Sequence, residues 1–282
     1  MPKIFIIILN YNGQDCLGQT LKSVFKLSYS DFQIVLVDNA STDNSFETAR
    51  LNLPRSAFIK NPANLGFAAG MNIGIKYALE RGADYVWLLN YDTEIKKDSL
   101  SELVSFMEKN KNFGLASPLI AKDDFSGIWF SGGKINWLKM KAIHEKENLE
   151  RNNLSPDYLT GCALFIRKEV FKKIGLLEEK YFLYYEDADF SVRAKRAGLR
   201  LAVVKDSLIF HKEKSEIKKE NKIYHLVLSG LIFFQKNSPW WLKSWMLFYT
   251  FLRKIKNRRD LKDPKNILAP VVEKAYLDFK KT

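Results

Sequence analysis

Three carboxylates lie close together in the run Tyr184-Tyr185-Glu186-Asp187-Ala188-Asp189, which has the residue types needed for proton transfer. Asp189 and Arg193 are four residues apart, so we expect a salt bridge between them on the surface of a helix. Glu186 and Asp187 follow two tyrosines, and partial burial with a neighbouring like charge would raise the pKa of either carboxyl group. Both are therefore candidate general bases. The structural alternative is that acidic residues in a first turn simply stabilise the helix dipole.

Another acidic position follows an apolar stretch in the run Leu88-Leu89-Asn90-Tyr91-Asp92. A carboxylate directly after a buried strand is well placed to hold a divalent cation that bridges a diphosphate. Asp92 has this position, although a surface turn explains the same residues equally well. His211 follows the apolar residues 208–210 in the same way. It is a candidate metal or phosphate contact, or else an ordinary surface histidine.

Residues 37–43, with the sequence Val-Asp-Asn-Ala-Ser-Thr-Asp, place an aspartate at the end of a further apolar stretch. Ser41, Thr42 and Asp43 are residue types that cap the following helix. Capping does not explain Asp38. A carboxylate at this position can accept hydrogen bonds from a ribose or a base.

Strand ends must bring these residues together. The first half predicts strands at residues 3–9, 33–37, 57–60 and 85–89, and helices at residues 15–26, 44–51 and 66–80. Continuous apolar strands that alternate with helices predict a mostly parallel sheet covered on both faces. In such sheets ligands bind beyond the carboxyl ends of the strands, and Asn or Asp follows all four runs. We therefore expect one site at this edge.

The second half predicts a different arrangement. Its strands are expected at residues 114–120, 127–137 (interrupted by a turn at Gly132-Gly133) and 158–166, and its helices at residues 168–174 and 186–197. Residues 148–156 form a polar connection between these parts.

Composition limits the class of protein. A chain of 282 residues with 46% hydrophobic residues can bury a sizeable core and is not globally disordered. Its two cysteines, Cys16 and Cys162, are far apart, which predicts a reduced intracellular protein without a disulfide framework or a zinc site. The apolar residues 4–9 are too short for a signal peptide and predict a buried strand instead.

The net charge of +13 is concentrated at the end of the chain, where residues 205–282 carry 18 Lys and Arg against 8 Asp and Glu. The apolar runs at 226–234 and 239–249 are shorter than the roughly 20 residues of a spanning helix. Their aromatic residues precede the basic run 253–259, which favours an interfacial helix on an anionic membrane. A helical hairpin packed on the rest of the chain and a homodimer contact are the alternatives.

Seven motifs, taken together and in order, resemble glycosyltransferase family two. They are Asn10-Tyr11-Asn12, residues 37–43, residues 64–72, residues 88–92, Gly161-Cys162-Ala163, residues 186–189 and His211. The resemblance covers residues 3–215 and is nearest to rhamnosyltransferase-like enzymes of bacterial surface polysaccharide assembly. It implies an α/β fold of the GT-A type, with a Rossmann-like, mostly parallel mixed sheet flanked by helices and a C-terminal helical extension.

The resemblance also implies a division of the chain and of its donor site. Residues 1–215 would form the catalytic domain, with a nucleotide-binding half at 1–113 and an acceptor-binding half at 114–215, followed by a basic aromatic extension at 216–282. Asp38 would hydrogen-bond a pyrimidine base of UDP or dTDP. The other nucleotide-sugar contacts would be Asn10, Asn12, Asn64, Gly66, Asn90 and Glu186.

The catalytic groups implied by the resemblance are Asp187 as the base, and Asp92 with His211 as ligands of Mg or Mn. The activity implied is inverting transfer of one sugar to a saccharide or lipid-linked saccharide, in the cytoplasm at the inner face of the cell membrane. One departure is Asn90, which replaces the first acid of the metal motif, so a catalytically inactive membrane-associated scaffold is the main alternative.

Other classes fit less well. A sugar-phosphate nucleotidyltransferase would need a Gly-rich basic loop after the first strand, which this sequence lacks. Nucleic-acid binding is not expected, because the basic residues cluster beside apolar runs instead of forming a polar face. Dinucleotide oxidoreductases carry Gly-x-Gly-x-x-Gly after a strand, and this chain has no such motif.

Overall fold

The computed structural model describes residues 1–53, 56–123, 126–147, 150–212 and 218–281. The strands are β1 Ile4–Asn10, β2 Phe32–Asp38, β3 Ala57–Lys60, β4 Tyr85–Asn90, β5 Thr93–Ile95, β6 Phe113–Lys122, β7 Ile128–Phe130, β8 Gly132–Asn136, β9 Lys141–Glu145, β10 Ala163–Arg167 and β11 Arg200–His211. The α-helices are α1 Leu17–Val24, α2 Ser45–Asn52, α3 Gly66–Glu80, α4 Ser99–Lys109, α5 Lys168–Ile174, α6 Glu186–Arg196, α7 Lys219–Asn237, α8 Lys243–Asp260 and α9 Ala269–Phe279.

The amino-terminal part of the sheet is parallel, as predicted. β1 lies between β2 and β4, and β3 pairs with the outer edge of β2. Every residue of β1 is buried, which explains its uninterrupted apolar sequence. Glycines in α3 let this helix approach the sheet closely, because a Cβ atom on Gly74 would lie 2.5 Å from Ile7 Cγ2.

The rest of the sheet is mixed and curled. β10 inserts antiparallel between β4 and β6, β11 runs parallel to β6, and β5 pairs antiparallel with β11. Only Tyr91 and Asp92 separate β4 from β5, although three strands stand between them in the sheet. The sheet must therefore curl until β11 and β5 return to the end of β4. Asp92 lies at this seam.

The second half corrects two predictions. The strand expected from residue 158 begins only at Ala163, because Gly161 and Cys162 form a turn at the edge of the cavity described below. Gly132 and Gly133 are not a turn but the first two residues of β8, which pairs with β9 in a separate two-stranded sheet. β5, α4 and β9 were not predicted at all.

The salt bridge between Asp189 and Arg193 is formed, but not on the surface as predicted. Asp189 is fully buried. Its carboxylate accepts hydrogen bonds from Arg193 Nε at 2.7 Å and Asn237 Nδ2 at 2.8 Å, and Lys236 Nζ lies 3.1 Å away. Because Lys236 and Asn237 belong to α7, this ion cluster fixes α6 to the C-terminal helices.

The predicted helical extension consists of α7, α8 and α9. α9 packs on both α7 and α8, and Ser229 Oγ of α7 donates to the Leu183 carbonyl at 2.8 Å. Within the described part of the chain, no helix has the length and apolar character needed to cross a membrane. The predicted domain boundary between residues 215 and 216, and the start of the polar connection at 148–149, lie outside the described residues.

Candidate active site

A cavity of about 1260 Å³ opens at the carboxyl ends of β1 and β4 and continues to the C-terminal helices. Eight of the predicted site residues line it: Asn12, Asn64, Gly66, Asn90, Asp92, Glu186, Asp187 and His211. They come from both halves of the sheet and from α6. Residues at or just after the ends of β1, β4 and β11 thus converge on one cavity, whereas Asn10, Asp38 and Asn61 do not line it.

Asp92 and His211 face each other across the seam of the sheet. Asp92 Oδ1 lies 3.2 Å from His211 Nε2, and each side chain is only 8% exposed. The Trp129 ring packs edge-on against His211 at 4.4 Å between centroids. Burial acts to lower the pKa of His211, but Cys162 and Asp92 outweigh it and raise the pKa to about 11.

The Asp92–His211 pair fits a divalent cation. Asp92 Oδ1 and both ring nitrogens of His211 are buried and lack a hydrogen bond of good geometry among the described residues. A buried polar atom without a well-directed hydrogen bond is costly, and a cation held between the two side chains would satisfy Asp92 Oδ1 and one ring nitrogen of His211. The described residues contain no group of three or more His, Cys, Asp or Glu suited to a metal. The pair would therefore supply two ligands to a divalent ion such as Mn²⁺, with phosphate and water as the remaining ones.

Asp187 is held by two backbone amides on the cavity wall. Its Oδ2 accepts from Gly161 N at 2.8 Å and its Oδ1 accepts from Ala188 N at 2.7 Å. Burial raises the pKa of Asp187, and the two amide hydrogen bonds partly oppose this rise. The result is an oriented carboxylate that can accept a proton.

Two consecutive tyrosines in left-handed conformation turn the chain into α6. Tyr184 has φ 69° and Tyr185 has φ 68°. Residues with a Cβ atom adopt this conformation at a cost of about 1–2 kcal/mol each, and such strain clusters at functional sites. The turn presents Glu186, which is 5% exposed and whose Oε2 has no partner among the described residues. Burial and then the Asp187 charge raise the pKa of Glu186 well above its ordinary value.

A network of amides shapes the opposite wall, and its central residue was not predicted. Asn39 is buried, and its Nδ2 donates to the Gly66 carbonyl at 2.9 Å. Its Oδ1 accepts from Asn61 Nδ2 at 2.8 Å. Gly66 N donates to Asn64 Oδ1 at 3.0 Å, and the positive φ of 81° at Gly66 favours glycine there. Asn39 follows Asp38 directly, so its position just after a strand could have indicated that it belongs to the site.

Asn10 and Asp38 are brought together, but behind the cavity wall. Both are fully buried, and Asp38 Oδ1 accepts from Asn10 Nδ2 at 2.8 Å and from Ser41 Oγ at 2.5 Å. Asp38 Oδ2 accepts from Ser41 N at 3.0 Å. Asn12, in contrast, lies on the wall, with its Oδ1 accepting from Thr42 N at 2.8 Å. A direct contact of Asn10 or Asp38 with a nucleotide stays a prediction.

Aromatic residues that were not predicted line another part of the cavity wall. Trp129 packs against His144 at 4.6 Å between ring centroids, and Tyr158 and Tyr185 line the same cavity. His144 belongs to β9, a strand without a clear apolar pattern. Apolar ring faces beside polar atoms suit a sugar, which has both C–H and hydroxyl surfaces.

Comparisons with known proteins agree with this geometry. The profile of Glycosyl transferase family 2 matches residues 5–175. The low-salt glycan biosynthesis hexosyltransferase Agl10 of Haloferax volcanii is 28% identical over 208 residues, which cover 71% of this chain and 64% of that protein. The chain thus spans just under two thirds of that relative. The N-acetylglucosaminyl-diphospho-decaprenol L-rhamnosyltransferase of Mycobacterium tuberculosis is 24% identical over 264 residues, with 84% and 85% covered. The dTDP-rhamnosyl transferase RfbF of Shigella flexneri is 27% identical over 209 residues, with 74% and 68% covered.

Solved structures share the fold. TarS 1-349 of S. aureus in complex with UDP-GlcNAc has a TM-score of 0.66 at 17% identity, over 98% of this chain and 80% of that one. The mannosyltransferase PcManGT of Pyrobaculum calidifontis, in complex with GDP-Man and Mn²⁺, has a TM-score of 0.63 at 15% identity, over 100% and 76%. These likenesses confirm the predicted GT-A type of α/β fold. With the profile match over more than half of its length, the chain belongs to glycosyl transferase family 2.

Proposed function

We propose that this protein is an inverting glycosyltransferase that adds one sugar to a saccharide or lipid-linked acceptor in cell-surface polysaccharide synthesis. The observation that carries this proposal is the presence of an oriented carboxylate, Asp187, and an unsatisfied Asp92–His211 pair on the wall of one cavity. The donor would be a nucleotide diphosphate sugar. The names of two relatives, which mention dTDP-rhamnosyl and L-rhamnosyl transfer, support rhamnose as the sugar.

In the proposed reaction, an acceptor hydroxyl attacks the anomeric carbon of the donor from the side opposite the diphosphate. The new glycosidic C–O bond forms as the bond to the diphosphate breaks, and the configuration inverts. Asp187 takes the hydroxyl proton. Asp92 and His211 would hold Mg²⁺ or Mn²⁺, whose charge stabilises the leaving diphosphate in the transition state.

The donor would lie against the amide network, with Asn12, Asn64 and Gly66 around the nucleotide sugar. Asn90 and Glu186 line the same cavity as the Asp92–His211 pair and Asp187. Because Asn90 is uncharged, the cation site would have one carboxylate fewer than an Asp-x-Asp motif supplies. We expect the cation to bind more weakly than at a two-carboxylate site, with His211 as the second protein ligand.

Thermal shift and donor hydrolysis across a panel of nucleotide sugars, with and without Mn²⁺, test the proposal. We expect Mn²⁺-dependent stabilisation by one pyrimidine nucleotide sugar in the wild type, and its loss in Asp92→Ala. Asp15→Ala, which removes an exposed carboxylate at the start of the chain, is the matched control and should respond like the wild type. If no nucleotide sugar changes the melting temperature, the inactive scaffold is the better interpretation.

We further propose that the exposed face of α8 binds an anionic membrane, which would place the protein at the inner face of the cell membrane. Large apolar side chains at helical spacing form this face: Trp245 is 39% exposed, Phe248 51%, Phe251 56% and Leu252 42%, and Trp241, in the short turn directly before α8, is 64% exposed. The side of α8 turned towards the protein carries the polar Asn257, whose Nδ2 donates to the Ala269 carbonyl at 3.2 Å. Met246 is buried on the same inner side, so the unusual feature of α8 is its apolar outer face, where an ordinary surface helix is polar.

The charges beside this face fit a membrane surface. Lys256, Arg258 and Arg259 are exposed at the end of α8, directly after the aromatic turns. Aromatic and basic residues in this order suit the boundary of an anionic leaflet. Flotation with phosphatidylglycerol vesicles should recover the wild type at low salt and fail for Phe248→Asp. A homodimer in solution that buries Phe248, without vesicle binding, would contradict the membrane proposal.

A further inference from the structure

The end of the cavity formed by the C-terminal helices is rich in lysine. Lys218 at the start of α7, Lys222 within α7 and Lys274 on α9 line it, with Glu220 as the acidic residue between them. None of the three lysines takes part in an ion pair among the described residues. From this arrangement we propose that they form a subsite for the diphosphate group of a lipid-linked acceptor.

The packing of α7 on α9 places one of these ammonium groups. Lys274 Nζ lies 5.3 Å from the centroid of the Tyr224 ring. The Tyr224 hydroxyl donates to Asp278 Oδ2 at 2.9 Å, so the ring is fixed between the two helices. A cation held over an aromatic face is ordered without being neutralised. Lys274 is therefore available to an anion in the cavity.

The position of this subsite favours the acceptor over the donor. The amide network and Asp92 come from residues 10–92, within the segment that matches the family profile. The three lysines come from the C-terminal helices, beyond residue 175. The lysines therefore come from other elements than the amide network against which the donor is proposed to lie, so we assign them to the acceptor.

The membrane-facing helix belongs to the same helical unit. α9 carries Lys274 and packs on α8, whose outer face exposes Phe248 and Leu252. A lipid held in the membrane beside α8 would present its phosphates at the level of the headgroups, next to this unit. The saccharide would then extend along the cavity towards Asp187. This inference rests on the proposed function and names the acceptor class that the site takes.

Binding of farnesyl diphosphate to the full chain, in the presence of saturating UDP and Mn²⁺, tests the subsite. Farnesyl diphosphate supplies the lipid and the diphosphate, farnesol is the probe without phosphate, and inorganic diphosphate is the competitor. We expect the wild type to bind farnesyl diphosphate but not farnesol, with competition by inorganic diphosphate. The double variant Lys222→Gln/Lys274→Gln should bind it about tenfold or more weakly, since two charge-assisted contacts are lost.

Lys280→Gln is the matched control, because it removes an exposed lysine next to α9 that does not line the cavity. It should bind farnesyl diphosphate like the wild type, and all variants should bind UDP equally. A double variant that keeps its affinity for farnesyl diphosphate, or that loses affinity for UDP instead, would overturn the proposal. If the wild type binds UDP but not farnesyl diphosphate, the subsite is refuted and the glycosyltransferase proposal stands. If it binds neither farnesyl diphosphate nor UDP nor dTDP, both proposals fail.

Discussion

Two aspartates two residues apart on α6 should respond to the same substitution in opposite ways. Asp187→Asn removes the proposed base. Asparagine has one acceptor oxygen, so it keeps one of the two amide hydrogen bonds from Gly161 and Ala188 and loses the other, at a cost of about 1 kcal/mol. Removing a buried charge offsets part of this cost. We expect a change in unfolding free energy of at most about 1 kcal/mol, with turnover reduced roughly 10²–10⁴-fold.

Asp189→Asn should leave the chemistry in place and weaken the fold. The substitution removes the negative charge that faces Arg193 and Lys236 in the buried ion cluster. Breaking a buried pair costs about 3–5 kcal/mol. Arg193 keeps hydrogen bonds to the carbonyls of Ile174 and Leu176, so we expect about 3 kcal/mol. In a chain of this size that lowers the melting temperature by roughly 6–12 °C.

The assay pairs denaturant unfolding of both variants with donor binding and single-turnover transfer at a temperature where both are folded. The expected pattern is a stable, inactive Asp187→Asn that still binds donor, and an unstable Asp189→Asn whose folded fraction turns over. If Asp187→Asn loses donor affinity, or if Asp189→Asn unfolds like the wild type, the roles assigned to these carboxylates are wrong.

Three more predictions concern stability and metal binding. Because the pKa of Glu186 is raised in the folded protein, ionisation of this carboxyl group lowers stability at pH values above its ordinary pKa. Glu186→Gln should therefore raise the unfolding free energy at neutral pH by on the order of 1–3 kcal/mol. In urea melts, this gain should vanish near about pH 4, where the glutamate is protonated in both states. Gly66→Ala places a Cβ atom 2.4 Å from the Phe182 carbonyl oxygen and should cost well over about 2 kcal/mol. Gly82→Ala, also at positive φ but in open space, should cost only the conformational penalty of about 1–2 kcal/mol; equal melting temperatures would contradict this. His211→Ala should weaken Mn²⁺ binding in calorimetry about 10-fold or more and leave metal-free UDP binding unchanged; retained Mn²⁺ affinity would remove His211 from the metal site.

The site could be predicted from the sequence where its residues follow buried parallel strands. Asn12 and Asp92 come two residues after the ends of β1 and β4, and parallel strands bring their carboxyl ends to one edge. The aromatic wall could not be predicted in this way. Trp129 and His144 come from β7 and β9, and their approach to the site depends on pairings between distant segments that local periodicity does not encode.

Three further features could not be predicted from the sequence. Tyrosine has no preference for positive φ, so local sequence does not predict the left-handed conformation of Tyr184 and Tyr185. It depends on tertiary packing, such as that of the Tyr185 ring on the Phe233 ring, with 5.2 Å between centroids. The aromatic and basic composition of α8 is visible in the sequence, but which side of the helix faces outward depends on its contacts with α9. The buried position of Asp189 likewise depends on α7, which lies far away in the sequence.

The seam of the curled sheet has a consequence for how the protein folds. Asp92 and His211 meet only after β10, β6 and β11 have been added between β4 and β5, so their contact is among the least local in the chain. Contacts between distant segments carry a loop-closure cost, so we expect this one to form late in folding. Affinity for Mn²⁺ should then arise in the final stage of refolding, after most helical signal has returned. Binding of Mn²⁺ during refolding would therefore report when the sheet has closed.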